Sequence, residues 1–283
     1  MLRPGPKRRP GAPTADRDGV PAGIPSTDRI LSTDRTITLY GRIPVIEALL
    51  DERATVTRLI VARNAQGEAV DRIRDLAKAR GISVERADPR RVTQLSGNGR
   101  HDQGVVARVE SPGLVDLEDW LGGRPAGAGY TLFLLDGLTN PSNVGMIIRS
   151  AVAAGLDGIV LPRAGSPDVG PLVVKASAGV ALFAPVLRAP TAAQAARLLV
   201  DSGATLVGLR AGGATTIWDT PVTGRTAFVL GNETLGISAA VAAAVTAWAS
   251  VPLCGGVESL NVATASTVVA FEVARRRVLA TRA

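Results

Sequence analysis

From Tyr40 onward, apolar and polar positions switch between a helical and an extended period, which predicts short elements in alternation. Residues 44–50 read as helical, 56–62 as extended, and 67–80 as helical up to the stop at Gly81. Residues 82–85 read as extended, Asp88 and Pro89 offer the cap and first position of a short helix, and 104–109 read as extended. A second series opens on YTLFLLD at residue 130, a continuous apolar run of the kind that a parallel sheet buries on both faces. Extended segments at 159–161, 183–187, 205–209, 226–230 and 249–253 then alternate with helical ones at 144–154, 191–202, 237–245 and 260–277. Such alternation predicts an α/β fold with a mostly parallel sheet. Four regions are expected: a disordered basic arm over 1–35, a small α/β module over 36–110, a Gly- and Pro-rich linker over 111–129, and a larger α/β domain over 130–283.

Composition narrows the class. With 46 % hydrophobic and only 3 % aromatic residues, the 283-residue chain has the profile of an alanine-rich α/β protein rather than a disordered one. One cysteine, Cys254, excludes an intramolecular disulfide, and with a single histidine, His101, no four-ligand Cys/His zinc site can form, so no metal is expected. Cys254 is expected to be a small buried thiol and His101 to have a structural or RNA-facing role. No stretch is apolar enough to span a membrane, and the opening residues lack the apolar core of a secretory signal, so a cytoplasmic protein is expected.

The net charge is +7. Residues 1–35 carry seven basic and four acidic side chains and residues 36–110 carry thirteen and ten, whereas the remainder is nearly balanced. A basic first third points to a polyanion such as nucleic acid, although charge of this size also serves solubility.

Ligands of open α/β sheets bind beyond the carboxyl ends of the strands, and three strand-end segments hold unusual polar residues. In LDGLTNPSNVGMIIRS, a turn through Asn143 leads into a helix on which Arg149 shares a stripe with Gly145, Met146 and Val152. A guanidinium there either meets an anion or snorkels to water. In FVLGNETLGIS, Gly231, Glu233 and Gly236 follow a strand, but Ile237 stands where a phosphate loop needs lysine. Glu233 could simply favour the start of the next helix. In SVPLCGGVESLN, Ser259 can cap the following helix, and Asn261 either satisfies that helix or meets a ligand.

Taken in this order the three segments resemble the motifs of the SpoU/TrmH family of RNA 2′-O-ribose methyltransferases, part of the SPOUT superfamily. In layout the chain is most like the ribosomal RNA guanosine 2′-O-methyltransferase type. Asn143 and Arg149 match the first motif, Gly231, Glu233 and Gly236 the second, and Pro252, Gly255, Ser259, Leu260 and Asn261 the third. The segment between LYGRIPVIEALL and HDQGVVARVE resembles the small RNA-binding domain of the same family. Leu253 replaces the usual Met, Asp102 is an insertion, and TNPSN stands where DP is commoner.

The resemblance implies a trefoil-knotted catalytic domain, S-adenosylmethionine as cofactor, a homodimer with a site shared between subunits, and methyl transfer to a ribose 2′-hydroxyl of RNA, ribosomal RNA above all. It implies Arg149, Asn143, Glu233, Ser259 and Asn261 as catalytic residues and main-chain groups of Gly231, Val251, Leu253 and Leu260 around the cofactor. In the family scheme Arg149 is the base; a guanidinium pKa above about 12 favours instead a role in binding phosphate and polarising the 2′-oxygen, with Glu233 orienting Arg149 or Asn143. A transfer RNA ribose methyltransferase and a non-catalytic RNA-binding protein on the same scaffold are the alternatives.

Overall fold

The computed structural model describes residues 35–213 and 215–282, so the expected basic arm lies, up to Asp34, outside the described residues. The first module runs β1 (Thr36–Tyr40), α1 (Arg42–Leu50), β2 (Val56–Ala62), α2 (Glu68–Ala79), β3 (Val84–Ala87), α3 (Pro89–Ser96) and β4 (Val105–Glu110). Its four strands lie in the order β1-β4-β2-β3, with β4 antiparallel to both neighbours and β2 parallel to β3. The α3 start follows the sequence: the Asp88 carboxylate accepts from the Arg90 N–H at 2.9 Å, with Pro89 next to it. Arg80, just past α2, donates to the carbonyls of Ala48 and Leu49 in the last turn of α1 and to those of Asp51 and Ala54 in the turn that follows it.

The larger sheet is built from β5 (Leu114–Asp116), β6 (Tyr130–Leu135), β7 (Gly158–Pro162), β8 (Val186–Ala189), β9 (Thr205–Leu209), β10 (Arg225–Leu230) and β11 (Ala247–Ala249). Helices α4 (Leu117–Gly122), α5 (Pro141–Ala153), α6 (Pro171–Ala176), α7 (Ala192–Asp201), α8 (Ala239–Ala242) and α9 (Val262–Ala280) connect or follow these strands. The order is β11-β9-β10-β6-β7-β8-β5 and every pairing is parallel. All six residues of β6 are buried, as its unbroken apolar run requires.

Several boundaries differ from the sequence reading. Residues 111–129 are not a plain linker, because β5 closes the edge of the large sheet against β8 and α4 follows it directly. Gly113 is there for space: a Cβ would meet the carbonyls of Ala184 and Phe183, the latter at 2.9 Å. The strand expected at 183–187 starts at Val186 because a 3-10 turn occupies Val180–Leu182. The strand expected at 249–253 is β11, ending at Ala249, since the Ser250 backbone changes partner and bridges Thr216, donating its N–H to the Thr215 carbonyl and accepting from the Ile217 N–H. The helix expected over 237–245 is reduced to the single turn of α8.

Candidate active site

From β6 the chain steps outward through β7 and β8, then returns to the other side of β6 with β10 and β9. The sheet order therefore reverses at β6, and the crevice beside it, at the strand carboxyl ends, is where α/β sheets accept ligands. The loops after β6, β10 and β11 meet in this region.

Asp136, at the end of β6, accepts the Ser238 N–H at 2.7 Å and ties the β10 loop to β6. Asn232 reinforces the tie, donating its amide to the Gly137 carbonyl at 2.9 Å and accepting from the N–H groups of Thr234 and Leu235. Asn232 and Gly236 also exchange both backbone hydrogen bonds, closing a tight loop. Gly231 sits under that loop: a Cβ there would lie 2.5 Å from the Ile237 nitrogen and 2.6 Å from the Gly236 carbonyl oxygen. Only a bare backbone fits.

Asn140 begins α5, its side chain accepting from the Ser142 N–H at 2.9 Å, and Pro141 takes the first helical position. This start buries Asn143 in the first turn, 5 % exposed. The Asn143 amide nitrogen donates to the Glu233 carboxylate, while its oxygen accepts from the Asn261 amide at 3.2 Å. Of the two orienting partners considered for Glu233, it is Asn143 that it meets.

Asn261 has a second task. It is the N-cap of α9, its oxygen accepting from the Ala263 and Thr264 N–H groups at 2.9 and 3.4 Å. The cap expected at Ser259 is therefore Asn261, whose short amide can hold two N–H groups and still offer its own nitrogen. Ser259 instead lines a cavity.

That cavity, about 350 Å³, lies beyond β9 and β10 and is of a size suited to a small molecule. Gly231, Val251, Leu253 and Leu260 all line it, as do Glu233 and Ser259. The sequence reading did not single out Arg210 and Trp248, which also face it; the loop after β9 is a strand-end loop like the other three, and that position alone could have drawn attention to it. The Arg210 guanidinium stacks 5.0 Å above the Trp248 ring.

Arg149 stands apart. It is exposed on α5, about 120° around the helix from Asn143, in line with Met146 and Val152, which are 41 % and 36 % exposed. Cys254 is also exposed, contrary to expectation, because the loop it begins lies open to solvent down to Ser259. No described helix is long and apolar enough to cross a membrane, and among the described residues no cluster of ligating side chains could hold a metal.

Residues 130–271 match the SpoU rRNA methylase family and residues 38–114 match the RNA 2′-O ribose methyltransferase substrate-binding family. An uncharacterized tRNA/rRNA methyltransferase of Mycolicibacterium smegmatis is 34 % identical over 271 residues, covering 95 % of this chain and 86 % of the relative. Among solved structures, the SpoU methyltransferase AviRb from Streptomyces viridochromogenes in complex with AdoMet aligns with a TM-score of 0.65 and 27 % identity, covering 86 % of this chain and 91 % of that one. An rRNA methyltransferase from Sinorhizobium meliloti aligns with a TM-score of 0.60 and 26 % identity, over 86 % and 88 % of the two chains.

S-adenosylmethionine, the cofactor of this family, suits the residues present. The bare backbone at Gly231 gives close main-chain approach, the wall is largely apolar, and the Glu233 carboxylate matches a ligand that carries a cationic sulfonium. A reversed parallel sheet, a cavity at its strand ends and a polar bridge between its loops thus accompany sequence matches along both halves of the chain, and the chain belongs to the SpoU family of S-adenosylmethionine-dependent RNA methyltransferases.

Proposed function

We propose that the protein methylates a ribose 2′-oxygen of RNA, with ribosomal RNA as substrate, and that it does so as a homodimer in the cytoplasm. The observation that carries this reading is the Glu233–Asn143–Asn261 bridge at the cofactor cavity, which joins loops from three distant stretches of chain around polar groups. The basic excess of residues 36–110 and their match to a substrate-binding family support RNA as the partner.

When bound, the cofactor supplies an electrophilic methyl carbon. The protein's own residues must then place a weakly acidic hydroxyl close to that carbon and in line with it. Asn143 and Asn261 hold each other and the loops fixed, so the placement is built before substrate arrives. Ser259 lines the cavity and its hydroxyl makes no hydrogen bond to a described residue, which leaves it to orient the sugar. The Arg149 guanidinium pairs with a phosphate beside the target and stabilises the negative charge that grows on the 2′-oxygen as its proton passes to solvent water.

Arg149 reaches the site in trans in this reading. Its exposure beside Met146 and Val152, with Phe271, Val278 and Leu279 exposed on the neighbouring α9, supports a second copy covering this face and receiving the guanidinium. The test is to supply labelled S-adenosylmethionine with ribosomal RNA or transfer RNA and to digest the product to nucleosides for mass spectrometry. A 2′-O-methyl nucleoside from ribosomal RNA is expected. A base-methylated product overturns ribose specificity, and transfer to transfer RNA alone, which the names of the relatives also allow, overturns the substrate. Cofactor binding without transfer to either RNA would make the protein an RNA-binding relative of the enzymes.

A further inference from the structure

The cofactor cavity carries two charged side chains, and only one belongs to the bridge. Among the described residues that line it, Glu233 follows β10, Arg210 follows β9, and the other side chains are uncharged. The base of Arg210 is fixed, because its N–H donates to the Ala249 carbonyl at the end of β11 at 3.1 Å. Its guanidinium rests on Trp248, and the indole in turn lies against bare strand backbone, since a Cβ on Gly208 would come 2.7 Å from the ring. No carboxylate of a described residue pairs with Arg210.

A guanidinium stacked on an aromatic face keeps its N–H donors in the ring plane directions, free for an anion. The cavity is therefore electrically asymmetric, acidic towards β10 and basic towards β9. S-adenosylmethionine is asymmetric in the same way: a sulfonium and an ammonium are cationic and one carboxylate is anionic. We propose that Arg210 binds the carboxylate of the cofactor's amino-acid end, held in place by Trp248, so that charge fixes the direction in which the cofactor enters the cavity. The family resemblance assigns the cofactor to main-chain groups; this adds a side chain that recognises one of its charges. It rests on the cofactor assignment alone and is independent of which RNA is methylated.

The test is isothermal titration of the full chain, without RNA, with S-adenosylmethionine and with its decarboxylated analogue, which keeps the sulfonium and the amine and lacks only the carboxylate. The unaltered protein is expected to prefer S-adenosylmethionine by about tenfold or more, the ratio associated with a charge-assisted pair. Arg210→Ala is expected to weaken S-adenosylmethionine by about the same factor, leave the analogue within about twofold, and so erase the preference. Arg210→Lys, which keeps the charge, is expected to restore part of it and guards against a folding defect in the alanine variant. Equal weakening of both ligands by Arg210→Ala would reduce Arg210 to a wall of the cavity and overturn the proposal. Unchanged S-adenosylmethionine affinity in that variant, or an unaltered protein that does not distinguish the two ligands, would overturn it as well. Failure of the unaltered protein to bind S-adenosylmethionine would remove the cofactor assignment and the proposal with it.

Discussion

The side chains of Asn143 and Glu233, 90 positions apart in the chain, are joined by a hydrogen bond in which the buried amide donates to the carboxylate. The bond connects the first turn of α5 to the loop after β10, and it exists because β6 and β10 are direct neighbours in the sheet. Asn143→Asp would set two carboxylates against each other, a pair that cannot both ionise without cost. The single variant is expected to lose about 1–3 kcal/mol of stability at pH 7, measured by urea unfolding. Exchanging both groups, Asn143→Asp with Glu233→Gln, restores one donor and one acceptor. The double variant is expected to be more stable than the sum of the single changes predicts; strict additivity would mean that the two side chains do not interact in solution.

Gly231 and Gly236 make opposite demands. A Cβ on Gly231 would run into Gly236 and Ile237, whereas Gly236 has open space around it and a φ of 70°. Gly231→Ala is expected to open the loop and abolish measurable S-adenosylmethionine binding. Gly236→Ala should cost only the left-handed backbone penalty, about 1–2 kcal/mol, with binding reduced but present. Calorimetric titration of the two variants separates steric closure from backbone strain, and equal losses would show that space at Gly231 is not the constraint.

Local pattern made much of this fold legible. The bounds of β2, the Asp88 cap of α3 and the burial of β6 follow from residues within a few positions of each element. Elements defined by distant partners were hidden. β5 is three residues long and acquires meaning only by pairing with β8, so its surroundings read as a Gly-rich connection. In the DLEDWLGG stretch, the spacing of Leu117, Trp120 and Leu121 was a usable signal for α4, partly masked by the glycines that follow. At the site, the identities of the polar residues were visible, but their meeting depends on β10 inserting between β6 and β9, a long-range choice that periodicity does not encode. Cys254 misled for the same reason: its apolar neighbours suggest burial, while the loop it opens has no described element over it.

Glu272 provides a pH-dependent test of how α9 is anchored. Its buried carboxylate accepts from Arg275 and Arg276, and Arg276 in turn holds the carbonyls of Ile217, Trp218 and Thr220. The hydrogen bond from Arg275 first, then the Arg276 pairing, outweigh the opposing effect of burial and bring its pKa down to about 2 from 4.5. Because the folded value is the lower one, the stabilisation is fully present above pH 4.5 and is lost as pH falls towards 2. Relative to the unaltered protein, Glu272→Gln is expected to be less stable by on the order of 2–3 kcal/mol at neutral pH, with the gap closing between these two values. Urea unfolding across that range measures it, and a gap that stays constant would show that the carboxylate charge contributes nothing.

Arg149 separates a site within one chain from a site built by two. It lies on the exposed side of α5 while Ser259 lines the cavity, so the proposed function needs the guanidinium of one protomer beside the serine of its partner. Arg149→Ala and Ser259→Ala are each expected to abolish methyl transfer, the first with S-adenosylmethionine affinity nearly unchanged. Co-expressed in equal amounts, the two inactive chains are expected to form mixed dimers in which one of the two sites receives an intact Arg149 and an intact Ser259. Random pairing in an isologous dimer then returns about a quarter of the unaltered activity. A site contained in one protomer returns none, because every chain carries one defect. Purification through a different tag on each chain enriches the mixed dimer, and the expected activity rises to about half. Silence of that purified species would place Arg149 and Ser259 in the same protomer's site, whereas activity retained by the Arg149→Ala chain alone would remove Arg149 from the reaction.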